Sequence, residues 1–152
     1  ILAIATGTDG SRAEILSRVA GGTRMPFSME VAEKRLHKLT RMDGREVFKE
    51  AVARMCAASH SVLEQAGVDL DDVKLLVPHQ ANLRIAQFVQ KTLRLSDNQV
   101  WNNIQKYGNT TAASIPIALA EAVEAGAVKR GDLVCLAAFG SGFTWGSALI
   151  RW

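Results

Sequence analysis

"DLVCLAAFGSGFTWGSALIRW", residues 132–152, decides the fold. "DLVCLAAFG" at 132–140 and "FTWGSALIRW" at 143–152 read as two strands, joined through the glycines at 140 and 142. Strands joined so closely pair antiparallel. Upstream candidates are separated by helical stretches, and a strand that returns through a helix runs parallel to its predecessor. They are "ILAIAT" at 1–6, closed by Gly7, Asp9 and Gly10; "VKLLV" at 73–77; and a weaker "QVWNNI" at 99–104. Between them, Val47, Ala51, Met55, Val62 and Ala66 recur at helical spacing, with Asp43 and Glu46 as a capping box and Gly67 as a stop. Ile85, Val89 and Leu93 mark another helix, and "IPIALAEAVEAG" at 115–126 a third whose first half is expected to be wholly buried. Residues 11–42, polar and basic with Gly21, Gly22 and Pro26, read as an irregular excursion. Alternating strands and helices with an end hairpin predict an α/β sandwich on a mixed sheet.

At 152 residues and 48% hydrophobic, the chain can bury one sizeable core and is too short for two ordinary domains. Lys plus Arg number 18 against 15 for Asp plus Glu, and the basic residues are scattered. A mildly positive surface of this kind suits an acidic partner and excludes a nucleic-acid clamp, which needs a basic stripe with aromatics. Cys56 and Cys135 form neither a disulfide framework nor a zinc motif, which points to a reducing, cytoplasmic setting. No metal site is expected. No apolar run has the length of a membrane span. The start "ILAIATGTDG" reads as a strand rather than a leader, so the chain is expected to be part of something longer.

In open α/β sheets, polar groups at the carboxyl ends of strands meet at one edge, where ligands bind. His79 follows "VKLLVP" there, Asn109 follows the third strand beside Gly108, Thr110 and Thr111, and "FGSGF" at 139–143 offers little-covered backbone N–H groups. An imidazole, a carboxamide and a bare backbone make a set of neutral donors for an oxygen that gains negative charge. Each has a plainer role as well: a structural histidine, an ordinary Gly-Asn turn, a tight hairpin. Cys135, among Leu133, Val134 and Leu136, has the setting of an inert small hydrophobe. Cys56 and His60 lie one helical turn apart, but two ligands make no metal site.

"VPHQANLRI" at 77–85, "YGNTTAASIPIAL" at 107–119 and "AFGSGFTWGSALIRW" at 138–152, with "MDGREVFKEAV" at 42–52, closely resemble the 3-oxoacyl-acyl-carrier-protein synthases type III. The resemblance covers nearly the whole chain from about Gly10 and implies a thiolase-like half: a five-stranded mixed sheet of order 3-2-1-4-5, last strand antiparallel, helices on both faces. It implies further that residues 1–152 are the C-terminal half, the N-terminal half with the nucleophile cysteine being absent.

Enzymes of this family take an acyl group from acyl-CoA onto a cysteine and join it to malonyl-acyl-carrier protein with loss of carbon dioxide, with no cofactor. By the motif matches, His79 and Asn109 would hold the malonyl thioester oxygen, and the Ser141 N–H would form half of a second oxyanion hole, though serine stands where glycine or alanine is commoner. Phe139 would pack beside the imidazole. Gly44, Phe48, Ala81 and Asn82 would line a pantetheine tunnel, while Arg84, Lys49 and Lys91 would face the acidic carrier protein. Neither Cys56 nor Cys135 matches the nucleophile motif, so this chain alone is expected to be inactive and to expose an apolar patch where the other half would pack. The complete enzymes are usually homodimers. Two other readings stay open: a noncatalytic carrier-binding or pairing module, and a cysteine hydrolase built from Cys135, His79 and Asn109.

Overall fold

The structure, a computed structural model, describes residues 1–152. A four-stranded sheet contains β1 (Ala3–Thr8), β4 (Val73–Pro78), β5 (Leu133–Gly140) and β6 (Thr144–Arg151) in the order β1-β6-β5-β4. β6 runs antiparallel to both neighbours, whereas β4 and β5 are parallel. Beyond β4 the sheet is extended by one parallel bridge, Leu76 to Val100, with Trp101 N–H donating to Leu76 O at 3.0 Å.

The mixed α/β sheet with an antiparallel last strand agrees with expectation; the placement of the first strand does not. Counting the Val100 bridge as the third strand, the order is 3-2-4-5-1 rather than 3-2-1-4-5. A central parallel strand must be apolar on both faces. β4 meets that condition, with Val73 and Leu75 to Pro78 all buried, whereas β1 alternates and leaves Ile4 56% exposed, which suits an edge. "QVWNNI" shrinks to a bridge because the backbone N–H groups of Asn103 and Ile104 go to the Gln80 side chain instead of a ladder.

Helices cover both faces. A register shift between Val73 and Leu75 turns Val73 and Leu76 to one side and Leu75 and Val77 to the other. On the first face, α2 (Gly44–Ala66) and α3 (Leu83–Leu93) bring Ala51, Met55, Val62, Ile85 and Val89 against Cys135, Ala137 and Leu149. On the second, α5 (Ser114–Glu124) sets Ala118 and Ala122 on Leu75, Val77 and Val134. Each such buried Val, Leu or Ile is worth about 1.5–3 kcal/mol over exposure. The first half of α5 is less covered than its composition suggests: Ile115, Ile117 and Leu119 are only half-buried and Pro116 is exposed, because one face alone has a sheet to meet.

The excursion at 11–42 is irregular for the most part, but it closes a small ribbon of β2 (Leu16–Arg18) with β3 (Thr40–Met42) and carries the short helix α1 (Met29–Glu33), capped by Ser28. At the start of α2, the Asp43 carboxylate accepts from the N–H groups of Arg45 and Glu46, both at 3.1 Å. The reciprocal half of the expected capping box is missing. Glu46 bonds Arg12 instead, and Asp43 N–H goes to Ile15 O at 3.0 Å, which ties the excursion to the helix. At the other end Gly67 takes φ 62°, the left-handed conformation that ends a helix at least cost in glycine. Asp43→Ala should lower stability by about 1 kcal/mol, seen as an earlier urea midpoint at unchanged m-value.

Candidate active site

The carboxyl ends of β4 and β5 and the segment leading into α5 converge on two adjoining clefts of about 420 and 590 Å³. His79, Asn109, Phe139, Gly140 and Ser141 line both and so form the wall between them. The three donors expected from strand-end logic are therefore gathered in one place. The smaller cleft also holds Gly44, Phe48, Ala81 and Asn82, the whole expected tunnel group, with ribbon residues Leu16, Arg18, Thr40 and Met42 as its outer wall. The larger is lined by Thr111, Ser114, Ile115 and Trp145.

His79 is fixed at both ends. Its N–H donates to Ala137 O at 2.8 Å, continuing the β4–β5 ladder, and ring Nδ1 lies 2.6 Å from Ser114 Oγ. Burial pushes the imidazole pKa below its ordinary value, which favours the neutral ring. Asn109 follows Gly108, whose φ of 69° and ψ of −163° belong to a region open essentially to glycine alone. The Asn109 Oδ1 accepts the Thr111 N–H at 2.9 Å, so the carboxamide oxygen is engaged and its NH₂ is left for the clefts. Ser141 O accepts from Thr144 Oγ1 at 3.0 Å, and the Ser141 N–H takes no partner within the chain.

Gln80 and Glu121 bring these segments together. Gln80, 2% exposed, donates from Nε2 to Pro78 O at 2.7 Å and Trp101 O at 3.3 Å, and accepts on Oε1 from Asn103 N and Ile104 N at 3.1 and 3.2 Å. All four of its bonding positions are filled. Glu121 of α5 takes Lys106 Nζ at 2.5 Å and Asn103 Nδ2 at 2.8 Å, bonds that hold its carboxyl down to about 2. Together they anchor the short helix α4 (Ile104–Tyr107), and Asn109 with it, beside His79.

Phe48 is in edge contact with Phe88, ring centroids 5.2 Å apart, and the Arg84 guanidinium lies 5.7 Å from the Phe48 ring. Arg84, Lys49 and Lys91 are exposed and enter no ion pair within the chain. Cys135 lies elsewhere: 2% exposed, 3.3 Å from Ser147 Oγ, lining neither cleft, its thiol pushed up by burial. That overturns the Cys135, His79, Asn109 hydrolase. Burial raises the Cys56 thiol to about 11 as well. No group of three or more His, Cys, Asp or Glu could hold a metal ion, and no helix is long and apolar enough to cross a membrane. Gln80, Ser114 and the ribbon residues escaped the sequence reading. Gln80 and Ser114 do stand inside the quoted motifs, which was the available signal.

A mixed sheet of order 3-2-4-5-1, helices on both faces and an imidazole, a carboxamide and a free backbone N–H at one edge define a thiolase-like half. Residues 63–152 match the family described as 3-Oxoacyl-[acyl-carrier-protein (ACP)] synthase III C terminal, and the chain belongs to that family. It is 47% identical over 152 residues to the beta-ketoacyl-[acyl-carrier-protein] synthase III of Caldanaerobacter subterraneus subsp. tengcongensis, covering all of this chain and 46% of the relative. The crystal structure of 3-oxoacyl-[acyl-carrier-protein] synthase III from Aquifex aeolicus VF5 superimposes with a TM-score of 0.84 at 45% identity, over 100% of this chain and 44% of that one. The Thermus thermophilus synthase III gives 0.87 at 42% identity, over 99% and 46%. The chain thus spans a little under half the length of the relatives it matches.

Gln80→Glu keeps the acceptor but removes both donors and sets a carboxylate against the Pro78 and Trp101 carbonyls; we expect a loss of about 3 kcal/mol in chemical denaturation. His79 gives a pH signature. Its folded pKa is depressed, so its contribution is complete above the unfolded value near 6.5 and is lost as pH falls below that. His79→Gln should flatten the stability profile between about pH 7 and 5.

Proposed function

We propose that residues 1–152 are the decarboxylating half of a two-part condensing site, the nucleophile cysteine being supplied by an N-terminal half. Malonyl-acyl-carrier protein enters with its pantetheine arm in the smaller cleft, between Gly44, Phe48, Ala81 and Asn82. The malonyl thioester oxygen sits between His79 and Asn109. As the bond to the carboxylate breaks and carbon dioxide leaves, the electron pair moves onto that oxygen, and the two neutral N–H donors stabilise the enolate. The enolate carbon attacks an acyl thioester carried on the partner half's cysteine; a carbon–carbon bond forms and the thiolate departs. The Ser141 N–H is one donor to the oxyanion of that addition. No cofactor takes part.

The observation that carries this reading is the shared wall: His79 and Asn109 line the same clefts, with the amide oxygen already occupied and the imidazole biased to neutrality. A ring whose proton affinity is lowered by burial is also a weaker base than an ordinary histidine, which suits a hydrogen-bond donor better than a general base. The unpaired charges of Arg84, Lys49 and Lys91 suit an acidic carrier protein, whose capture should weaken with salt. Half-buried Ile115, Ile117 and Leu119 suit a covering half, and homodimerisation belongs to the complete enzyme.

The test is made in the complete enzyme. His79→Ala and Asn109→Ala should each cut malonyl-thioester decarboxylation by about 10²–10³ while the cysteine is still acylated by acyl-CoA, as followed by intact mass. Unchanged decarboxylation in both variants, with carrier protein still bound, would make this half a noncatalytic docking module.

A further inference from the structure

Ser114 opens α5 and is 2% exposed. Its Oγ lies 2.6 Å from His79 Nδ1 and 3.2 Å from Gln80 N. A backbone N–H can only donate, so Oγ accepts the bond from Gln80. The hydroxyl also has one proton to place, and its only acceptor within hydrogen-bond reach is Nδ1. Were the ring proton on Nδ1, Oγ would receive two donors and its own proton would be buried with no acceptor, an arrangement that folded interiors avoid. With Nδ1 bare, every group at this junction is matched. Nε2, across the ring, then carries the proton.

We infer that Ser114 is a positioning residue: its hydroxyl donates to His79 Nδ1, holds the imidazole in the Nε2–H form and so presents a donor to the clefts. Burial disfavours the doubly protonated ring, leaving two neutral tautomers between which Ser114 chooses. The Gln80 N–H is the other half of the device, since it occupies Oγ from behind and directs the hydroxyl proton toward the ring. For its catalytic meaning this inference rests on the reading of His79 as an enolate donor; the tautomer itself does not.

With only three histidines, His37, His60 and His79, the ring nitrogens can be resolved by long-range ¹H–¹⁵N correlation on ¹⁵N-labelled chain above pH 7, His79 being assigned by its loss in His79→Gln. The expected spectrum shows His79 in the Nε2–H form alone. Ser114→Ala should move its two ring nitrogens toward the averaged values of a tautomer mixture, and Ser114→Thr, which keeps the hydroxyl, should restore the single form. A wild-type ring protonated on Nδ1 overturns the inference whatever the variants do, as does a Ser114→Ala ring still locked as Nε2–H. In the complete enzyme, Ser114→Ala should lower kcat for decarboxylation by roughly tenfold with KM little changed. If the tautomer mixes and the rate holds, the assignment of Ser114 stands and the enolate reading of His79 falls.

Discussion

The buried amide of Gln80 is the constraint on which the site depends. A carboxamide offers two donors and two acceptor positions, and here all four reach backbone on segments far apart in the chain: Pro78 at the end of β4 on one side, Trp101 to Ile104 on the other. An apolar residue of the same size would take this partner from two carbonyls and two N–H groups, of which the Pro78 carbonyl and the Asn103 N–H are in buried bonds. The requirement is therefore chemical as well as steric. Its effect is to clamp the strand end that carries His79 to the segment that leads to Asn109.

Much of the fold was legible because its signals are local. Asp43 and Gly67 bound α2 as expected, and the hairpin after Leu133 is where its two apolar runs and glycines put it. What escaped was set by tertiary competition. Glu46 has the right spacing for a capping box, yet Arg12, 34 residues away, takes its carboxylate. "QVWNNI" has strand-like ends, but the Gln80 side chain claims the N–H groups a ladder would need. Strand order was the least accessible, since adjacency leaves no local mark; β1 is an edge because it pairs with β6 alone, and the exposure of Ile4 is compatible with that place.

The site divides the same way. His79, Asn109 and Ser141 were found because a parallel sheet sends its strand ends to one edge, and motif resemblance supplied Gly44, Phe48, Ala81 and Asn82 around them. The residues that hold this group in order were not found. Ser114 meets His79 across 35 residues, and the Glu121 bonds to Lys106 and Asn103 span 15 and 18. Serine, glutamine and glutamate have no pattern of their own; their importance comes from which distant polar group they happen to satisfy. The ribbon residues lining the smaller cleft escaped for a related reason, three-residue strands being too short to show a period.

The pairing of Ala3 with Leu149 places the first strand beside the last. During synthesis β1 finds no partner until β6, which begins at Thr144, has been made. At 5–20 residues per second that is a wait of roughly 7–30 s. β6 also lies between β1 and β5, so the arrival of the final twenty or so residues joins the edge to the centre. A ribosome stalled shortly before Thr144 would hold a chain with α2 and α3 already translated and no completed sheet for them to cover, a natural substrate for chaperones and proteases.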